Sequence, residues 1–597
     1  MGTWPDRVRA MRHVPALLKL MWQSGPAVVC GLVLVRLIAA LVPLAMLTVS
    51  KEILDAVQAN VKGLGLPAYF WWLVAAEFGL GTLMAIAGRS IGYFDSLLAD
   101  RFSRHVSLLV MEHASRLDLG SYEDPKFYDK LERARVQATD RVAMLGAVGT
   151  VAQLGITAIS LATGVLLFSP WLLVLMIVAV VPAFLGESHF VFMGYAQNVR
   201  QTPVRRKLDY LRVLGASKES AKEVRLFALS DFITGQFRDL STQIYDENQR
   251  LARRRLMAGL GLSLLSTSAY YGGYAYVVYQ TVAGVLTWGS LQFLIGAIAG
   301  TSTNIQIIFS TFPSIAEQSL FLTDLVEFLQ LKPKIRSKPD ALPAPRAIRD
   351  GIRFEKVSFA YPGSARHILD RLDFELEPGE RVALIGENGQ GKTTIVKLLT
   401  RLYDPIGGRI LLDGVDLRDY DVDDLQSQIG VIFQDFMRYE MTASENIAVG
   451  RIGSTKKNSV QEAARMSMAD QVIARLPGRY DQLLGLRFEG GVDLSGGEWQ
   501  KMALARAYYR DSQMVILDEP TASLDAMAEY EVFKSFSELT EGKMALLISH
   551  RFSTVKMCDR IVVLSNGRIR EQGSHRQLLA LGGKYAGMFE LQAASYR

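Results

Sequence analysis

The sequence of 597 residues has little cysteine and little charge. Its two cysteines, Cys30 and Cys558, lie far apart, so they cannot form a disulfide framework or a cysteine metal cluster. Cys30 lies inside an apolar run, which also excludes a cysteine-protease domain at the N-terminus. Charged residues make up only 21% of the chain, whereas 49% of the residues are hydrophobic. Apolar residues must therefore be concentrated in particular segments.

Length and charge balance indicate several domains in a membrane-associated chain. Domains of roughly 100–200 residues are usual, so a chain of this length should form more than one. The mean hydropathy of +0.16 is high for a soluble protein. The net charge is +6, which in a membrane protein more often reflects Lys and Arg in cytoplasmic loops than nucleic-acid binding. We expect a lipid bilayer, and no nucleic acid, as a partner.

The N-terminal half contains six apolar segments long enough to cross a membrane. A spanning helix needs about 20 mostly apolar residues, because about 30 Å of hydrocarbon is crossed at about 1.5 Å per residue. The predicted spans are about 27–49, 68–88, 144–168, 171–193, 257–280 and 288–312. The first run is too long for the apolar core of a cleaved signal peptide. The sequence therefore predicts a six-helix, all-α transmembrane domain over residues 1–331.

Basic residues predict the orientation of this domain. Four Lys and Arg residues precede the first span, and the long segments 89–143 and 194–256 are dense in the same residues. The alternate loops are short, which is the positive-inside pattern. We therefore expect both termini on the cytoplasmic side of the membrane. Leu and Val at helical spacing in the two long segments predict helices that extend beyond the bilayer.

Residues 332–350, KPKIRSKPDALPAPRAIRD, hold four prolines and charges of both signs, which is typical of a linker. After this segment, short Val- and Ile-rich strands alternate with helical patterns. The sequence therefore predicts an α/β domain over 351–597, which also lies on the cytoplasmic side.

The stretch LIGENGQGKTT, residues 384–394, carries the G-x-x-x-x-G-K-[ST] spacing of a phosphate-binding (P-) loop. It joins a β run, RVALIG, to a helical pattern, TTIVKLLTRLY, which is the context that this motif requires. Glycines let backbone N–H groups close on phosphate, while the helix dipole and the lysine add positive charge. The predicted nucleotide-binding residues of this loop are Gly386, Asn388, Gly389, Gln390, Gly391, Lys392, Thr393 and Thr394.

Two carboxylates end the apolar strand pattern MVILDEP, residues 514–520. Asp518 suits the coordination shell of Mg²⁺, and Glu519 suits the polarisation of a water that attacks a γ-phosphate. Acids at a strand end can be structural. After a phosphate loop and before a Pro-Thr turn, the pair favours catalysis, so Glu519 is a candidate catalytic residue.

The stretch LSGGEWQ, residues 494–500, resembles the signature motif of ATP-binding cassette (ABC) transporters. Six spans followed by one cassette resemble an ABC exporter half-transporter over nearly the whole chain. FQDFMRYEMTASENI further resembles half-transporters of the lantibiotic and peptide-export type. The resemblance implies an ATPase coupled to transport, which uses ATP and Mg²⁺ to export an amphipathic or peptide-like substrate by alternating access.

The resemblance also implies roles for residues outside the P-loop. Tyr361 matches the aromatic residue that stacks on adenine, and Gln434 matches the Q-loop residue that links Mg²⁺ to the membrane domain. Asp525 matches the D-loop, and His550 matches the catalytic switch histidine, which holds the Glu519 water. The expected Mg²⁺ ligands are Thr393, Gln434 and Asp518. The signature residues expected to contact the ATP of a partner chain are Leu494, Ser495, Gly496, Gly497 and Glu498.

In this family two cassettes face head to tail and trap ATP between them, so the chain is expected to need a second copy. All catalytic elements are intact, which permits a homodimer, and a heterodimer with another half-transporter stays open. Family signatures often continue Gln-Arg-Gln, whereas this chain has Glu498, Trp499 and Gln500. Glu498 and Trp499 lie outside the expected Ser-Gly-Gly phosphate contact, so we expect the chain to retain ATP hydrolysis.

Two segments resemble the coupling helices of ABC exporters, the short helices through which the membrane domain contacts the cassette. The first, LDLGSYEDPKFYDKLERA, spans residues 117–134. Its Gly-Ser and Asp-Pro pairs break the helical pattern, which then restarts. The second is expected near KESAKEVRLFALSDF, within residues 200–235.

The membrane segments contain six candidate residues for a substrate cavity: Arg36, Glu77, Tyr271, Tyr274, Asn304 and Gln306. Charges inside a membrane are costly, so Arg36 and Glu77 either pair or lie buried at an interface, or they contact substrate. Tyr271 and Tyr274 share a helix face at a spacing of three residues. That face could line a cavity for an amphipathic ligand or pack against neighbouring helices.

Other functions remain open at this point. An importer on the same fold, or a lipid or glycolipid translocator, would have an identical cassette, so only the transported substrate and the direction of flux discriminate. An ATP-gated channel or a regulatory subunit would tolerate loss of turnover, and the intact Glu519 argues against it. The six spans exclude a soluble cassette ATPase that acts on ribosomes or DNA.

Overall fold

A computed structural model describes residues 14–60, 68–124, 127, 131, 143–168, 170–453, 457–519, 534, 536–549 and 551–594. The chain separates into two compact units. The first consists of Met1–Ser115 and Asp129–Leu331, and the second of Arg116–Tyr128 and Lys332–Arg597. The segment Arg116–Tyr128, which the sequence analysis placed in the transmembrane domain, therefore groups with the cassette. Its side chains bond to cassette residues, as described below.

The first unit is built from helices. They are α1 Val14–Ser24, α2 Pro26–Asn60, α3 Phe70–Ser115, α5 Ala143–Phe168, α6 Pro170–Ala216, α7 Ala221–Leu226, α8 Ser230–Val282 and α9 Trp288–Leu329, while α4 Leu119–Tyr122 belongs to the second unit. The 46 residues of α3 extend about 69 Å at 1.5 Å per residue, roughly twice the hydrocarbon thickness. The short helix α7 lies within the segment predicted to hold the second coupling helix.

Four stretches among the described residues are long and apolar enough to cross a membrane: Pro26–Asn60, Phe70–Ser115, Gly146–Phe168 and Trp288–Thr311. They contain most or all of the first, second, third and sixth predicted spans. The other two predicted spans, 171–193 and 257–280, are helical parts of α6 and α8. They do not belong to these four stretches and stay predictions. Frequent glycine and tyrosine lower the hydropathy of 257–280.

Small residues allow close contact between helices of the first unit. A Cβ atom added at Gly164 of α5 would lie 2.8 Å from the Phe293 ring of α9. A Cβ atom at Gly296 of α9 would lie 2.6 Å from Leu47 of α2. Such contacts are typical of membrane helices, whose association depends on close packing rather than on the hydrophobic effect.

One buried cation joins α2, α3 and α5. Arg36 on α2 is only 6% exposed, and its guanidinium donates to Asp95 Oδ2 on α3 at 2.6 Å. It also donates to Thr150 Oγ1 at 3.2 Å and to Gln153 Oε1 at 3.4 Å on α5. A Cβ atom at Gly149 would lie 2.8 Å from the guanidinium carbon, so this glycine leaves room for Arg36. The arginine therefore has a structural role in holding three helices.

Arg36 forms its ion pair with Asp95 rather than with Glu77, so the hypothesis that Arg36 and Glu77 pair with each other is wrong. Glu77 Oε1 instead accepts a hydrogen bond from Ser50 at 2.5 Å. Ser50 lies almost four turns beyond Arg36 on α2, about 21 Å at 1.5 Å per residue. Because α3 runs antiparallel to α2, Asp95 returns to the level of Arg36 while Glu77 does not.

The second unit contains two sheets in its described part. The strands are β1 Ile352–Phe359, β2 Leu369–Leu376, β3 Arg381–Ile385, β4 Gly407–Leu412, β5 Val415–Asp416, β6 Ile429–Ile432, β7 Met514–Asp518, β8 Met544–Ile548, β9 Arg560–Ser565 and β10 Arg568–Gly573. An antiparallel sheet has the order β2-β1-β4-β5, and the larger sheet has the order β10-β9-β3-β8-β7-β6. In the larger sheet all pairs are parallel except β9 with β10.

Parallel pairing places the functional loops at one edge of the larger sheet. Strands β3 and β7 both pair with β8, so their carboxyl ends lie at the same edge. Ligand sites of open α/β sheets form at this edge. The helices of this unit are α10 Lys392–Leu399, α11 Val422–Ser427, α12 Ala443–Ala448, α13 Lys457–Met466, α14 Ala469–Arg475, α15 Gly496–Arg510, α16 Phe552–Val555, α17 His575–Leu581 and α18 Lys584–Ala594.

We expect Asp95→Ala to destabilise the first unit by about 2 kcal/mol, because it leaves Arg36 buried without its carboxylate. Breaking a fully buried pair costs about 3–5 kcal/mol. The cost is smaller here because the Asp95 side chain is 29% exposed. Thermal unfolding of the purified full-length chain, compared at one scan rate, would measure the loss.

The matched variants are Arg36→Met/Asp95→Leu, which removes both charges, and Glu52→Ala, which removes a half-exposed acid of α2. The double variant should be more stable than Asp95→Ala, since no charge stays unpaired. Glu52→Ala should change the stability by less than about 0.5 kcal/mol. A double variant as unstable as Asp95→Ala would contradict the assignment of the loss to an unpaired charge.

Candidate functional site

The P-loop lies between β3 and α10, and two of its glycines have a left-handed backbone. Gly389 has φ of +77° and Gly391, the N-cap of α10, has φ of +97°. A Cβ atom at Gly391 would also lie 2.8 Å from Leu369 Cδ2 and 3.1 Å from Ile368 Cγ2. Both the conformation and the space therefore require glycine. This backbone directs N–H groups at the start of α10 toward a bound anion.

Lys392 is the first residue of α10 and is only 6% exposed. Its Nζ donates to the carbonyl oxygens of Gly386 at 2.7 Å and Glu387 at 3.1 Å, so the ammonium group lies inside the loop. Burial lowers the pKa of Lys392, while the carboxylates of Glu519 and Asp518 oppose this shift. A partly desolvated cation in this position is suited to bind a phosphate group.

Asp518 ends the fully buried strand β7 and is 2% exposed. Burial raises the pKa of this carboxyl, and a hydrogen bond from Thr393 opposes the shift. Within the part of the chain that the structure describes, Oδ1 of Asp518 is buried without a hydrogen-bond partner. Such an atom costs about 1–3 kcal/mol unless a ligand satisfies it. Asp518 and the Thr393 hydroxyl therefore fit Mg²⁺, which takes oxygen ligands together with substrate phosphates.

Glu519 follows Asp518 and has a left-handed backbone, with φ of +47°. This conformation costs a non-glycine residue roughly 1–2 kcal/mol. A hydrogen bond from the Glu519 backbone N–H to the carbonyl oxygen of Ile548 on β8, at 3.0 Å, supports it. The side-chain Oε2 accepts a hydrogen bond from Nε2 of Gln434 at 3.0 Å. The structure thus brings two predicted site residues from distant parts of the sequence into direct contact.

Tyr361 lies against α10 and two other aromatic rings. Its hydroxyl is 3.1 Å from Thr394 Oγ1. Its ring meets Phe359 edge to face, with centroids 5.1 Å apart, and meets Tyr403 in the same way at 5.6 Å. The Lys397 ammonium lies 5.0 Å from the centroid of the Tyr361 ring. The predicted adenine-binding ring is therefore held from several sides beside the P-loop helix.

The signature motif forms the beginning of α15, with Ser495 as the N-cap. Glu498 Oε2 accepts hydrogen bonds from the backbone N–H and the hydroxyl of Ser495, both at 2.8 Å. The Ser495 hydroxyl in turn accepts from the backbone N–H of Glu498 at 3.4 Å. This capping box accounts for the glutamate at a position where the family often has glutamine. Gly496 and Gly497 form the first turn of α15.

Trp499, the second departure from the family signature, is a core residue. It is 1% exposed and packs among the buried residues of α12, α13, α14 and α15. Its indole N–H donates to Asp493 Oδ1 at 3.2 Å. Trp499 therefore belongs to the interior of the cassette, while the capping box at the start of α15 is formed. The expectation that ATP hydrolysis survives these departures stays a prediction.

The remaining predicted cassette residues have varied positions. Asn388 is exposed, whereas Gly386 and Thr394 are buried. Gln390 Oε1 accepts a hydrogen bond from the backbone N–H of Asn566 at 2.5 Å, and Leu494 is 7% exposed. The D-loop Asp525 and the switch His550 lie outside the described residues.

Three residues of the site were not predicted from the sequence: Lys397 and Tyr403, which contact Tyr361, and Glu123, which contacts both of them. Helical periodicity could have indicated Lys397, because it follows Thr394 by three residues on α10 and so shares its face. Tyr403 and Glu123 are brought in by the tertiary fold, which local sequence patterns do not reveal.

The other cavity candidates are surface residues of long helices. The rings of Tyr271 and Tyr274 have centroids 6.2 Å apart on one face of α8, and their exposed fractions are 61% and 40%. On α9, Asn304 is half-buried and Gln306 is exposed. These four side chains are available for a ligand or for another packing surface, and their role in substrate binding stays a prediction.

Comparison with known proteins places this site in a family. Residues 369–522 match the family described as ABC transporter. The subtilin transport ATP-binding protein SpaT of Bacillus subtilis is 29% identical over 591 residues, which are 97% of this chain and 94% of the relative. The ATP-dependent lipid A-core flippase of Chromobacterium violaceum is 29% identical over 563 residues, with 93% of each chain covered.

A solved structure agrees with these sequence matches. The structure of a bacterial Atm1-family ABC exporter with ATP bound superposes with a TM-score of 0.77 and 27% sequence identity. The match covers 95% of this chain and 98% of that chain, so it includes the transmembrane helices as well as the cassette. Together these matches show an ABC transporter ATP-binding domain fused to a transmembrane domain of the exporter type.

Proposed function

We propose that two copies of this chain export a peptide-like, amphipathic substrate, and that Glu519 positions the water that hydrolyses ATP. One observation carries the catalytic part of the proposal. The Glu519 carboxylate is held by a hydrogen bond of 3.0 Å from Gln434, and the preceding residue, Asp518, has an Oδ1 that is buried without a partner among the described residues. A carboxylate pair with one orphaned oxygen suits a site that takes both a cation and a reacting water.

The reaction follows from the positions of the groups. The P-loop N–H groups and Lys392 bind the phosphates of ATP and stabilise the charge of the transferring phosphoryl group. Glu519 orients and polarises a water, whose oxygen bonds to the γ-phosphorus as the bond to the ADP oxygen breaks. The products are ADP and inorganic phosphate. The family resemblance assigns His550 to hold this water and Asp525 to the D-loop.

Mg²⁺ is the metal that this site would take. Asp518 and Thr393 would hold it, with Gln434 as the third protein group. When bound, Mg²⁺ neutralises charge on the phosphate oxygens. The chain contributes the carboxylate and the hydroxyl, and it keeps both at the carboxyl edge of the parallel sheet.

A second copy completes the site in this proposal. The family resemblance assigns the signature residues to the ATP of the partner chain. In support, the side chains of Ser495 and Glu498 form a reciprocal capping box at the start of α15, and the first turn of this helix is formed. Head-to-tail pairing of two identical cassettes would place each P-loop opposite the partner's signature.

The substrate class is proposed from the relatives. The similarity to the subtilin transport ATP-binding protein SpaT, and to the nisin transport ATP-binding protein NisT of Lactococcus lactis, favours a peptide-like substrate. The lipid A-core flippases favour a lipid-linked substrate as the second candidate. Either substrate would leave the cytoplasmic side of a bacterial inner membrane, with the cassette and both termini of the chain on that side.

We expect Glu519→Gln to lower the rate of ATP hydrolysis at least 100-fold, because general-base catalysis contributes about 100- to 10,000-fold. ATP binding should persist, since the P-loop and Lys392 are unchanged. Phosphate release by the reconstituted chain and binding of radiolabelled ATP would measure the two quantities. Glu375→Gln, which changes an exposed acid paired with Arg353, is the matched control. Hydrolysis at the wild-type rate by Glu519→Gln would remove Glu519 from this role.

We expect Lys392→Ala and Ser495→Ala to restore each other when they lie on different copies. A dimer that carries one of each has one site with both lesions and one intact site. Differently tagged chains would be co-expressed, and the mixed dimer isolated through both tags. About half of the wild-type ATPase activity is expected in the mixed dimer, against very little in either variant alone. No recovery in the mixed dimer would contradict the shared site.

The whole function is tested with the wild-type chain alone in inside-out vesicles. ATP-dependent accumulation is followed for peptides, lipophilic cations and lipid-linked molecules, beside vesicles with Glu519→Gln. Accumulation of peptides that is absent in the variant would support the proposal, and accumulation of lipid-linked molecules alone would favour the second candidate. ATP-dependent loss of a preloaded substrate would indicate import and overturn export.

A further inference from the structure

A short segment that interrupts the first unit in sequence is anchored on the cassette. Asp118 precedes α4, and its carboxylate oxygens accept from the backbone N–H groups of Lys334 at 2.6 Å and Ile335 at 2.9 Å. Next to it, a Cβ atom at Gly120 would lie 3.1 Å from the Tyr403 ring. The segment therefore rests on the beginning of the linker and on one aromatic ring of the cassette.

Glu123, at the end of α4, uses both of its carboxylate oxygens on the cassette. Oε1 accepts from the Lys397 ammonium at 2.8 Å, and Oε2 accepts from the Tyr403 hydroxyl at 2.5 Å. Although burial acts in the opposite direction, these hydrogen bonds lower the pKa of Glu123, so the carboxylate stays ionised near neutral pH. One charged group thus sets the positions of two cassette side chains.

The two side chains held by Glu123 are those that hold Tyr361. The Lys397 ammonium lies 5.0 Å from the centroid of the Tyr361 ring, within the range of a cation–π interaction. The Tyr403 ring meets the Tyr361 ring edge to face at an angle of 87°. Glu123 can act on the Tyr361 ring without touching it, because Lys397 and Tyr403 both contact that ring.

We infer that Glu123 is a positioning residue for the adenine site: through Lys397 and Tyr403 it fixes the Tyr361 ring in the orientation that binds adenine. The inference rests on the proposed role of Tyr361. It means that the affinity for ATP depends on a segment whose chain continues on both sides into the transmembrane unit. By thermodynamic reciprocity, bound ATP would strengthen the anchoring of this segment by the same factor.

Comparison with Asp118 distinguishes positioning of the Tyr361 ring from simple anchoring of the segment. Asp118 and Glu123 both fasten the segment to the cassette, but Asp118 bonds to the linker backbone and Glu123 bonds to the neighbours of Tyr361. If Glu123 were only an anchor, loss of either carboxylate would affect ATP binding alike. If it positions Tyr361, only its own loss would weaken ATP binding.

The experiment measures kcat and KM for ATP with the full-length chain reconstituted in lipid vesicles. Glu123→Gln should raise KM for ATP about fivefold, the lower end of ordinary coupling between sites, with kcat nearly unchanged. Asp118→Asn should leave KM near the wild-type value. Lys397→Gln removes the other partner of the Glu123–Lys397 ion pair and should also raise KM for ATP. This variant tests the inference if Glu123→Gln does not fold.

A double-mutant cycle with Tyr361→Ala shows whether the effect passes through the ring. In the Tyr361→Ala background, Glu123→Gln should no longer change KM. An equal rise of KM in both backgrounds, or an equal rise with Asp118→Asn, would overturn the positioning role. If Tyr361→Ala alone left KM unchanged, the adenine role of Tyr361 would fail, and the inference about Glu123 would fail with it.

Discussion

The cassette depends on one electrostatic arrangement, the burial of Lys392 beside Asp518 and Glu519 at the carboxyl edge of a parallel sheet. Strand β7 brings the two acids to this edge, and the P-loop after β3 brings the cation. Burial disfavours the charged forms of Lys392 and Asp518, and it is tolerated only because cation and carboxylates lie close together. The left-handed glycines of the P-loop and the left-handed backbone of Glu519 are local costs of holding the groups in these positions.

The buried charge clusters around Arg36 and around Asp518 differ in how their polar atoms are satisfied. Around Arg36, the two terminal nitrogens have partners on α3 and α5, although Nε lacks one among the described residues. Around Asp518, the carboxylate oxygen Oδ1 is buried and has no hydrogen-bond partner within the described part of the chain. A cluster between helices whose polar atoms are mostly hydrogen-bonded stabilises the fold. An unsatisfied acceptor beside a phosphate loop destabilises the cassette, and a bound cation would remove that penalty. Buried charged groups therefore hold helices together in the first unit, whereas in the second unit they are suited to bind a ligand.

The sequence predicts those parts of the site whose residues are close together along the chain. The P-loop, the acids that end β7 and the signature each occupy fewer than a dozen residues, so their spacing is enough to indicate a phosphate site. The apolar runs likewise predicted the helices of the first unit. The partner of Arg36 was not predicted correctly, because it depends on the level at which two antiparallel helices meet. The contact between Glu123 and Tyr403 was not predicted either, because it joins residues far apart in the sequence and depends on the tertiary fold. Glu498 and Trp499 look like departures in the sequence, and only the capping box and the core around α15 explain them.

The Glu123 contacts set an upper limit on the coupling free energy between ATP binding and the position of the segment that carries Glu123. The chain passes between the two units after Ser115, before Asp129 and after Leu331, and Glu123 lies between the first two of these points. Its side chain is 40% exposed and that of Lys397 is 20% exposed, so water screens their attraction. An exposed ion pair contributes at most about 1 kcal/mol and one aromatic ring contact about 0.5–1.5 kcal/mol, so the two together carry no more than about 2.5 kcal/mol. That is enough to bias ATP binding toward one position of the segment. In the proposed dimer, transport would draw instead on the closing of two cassettes around ATP.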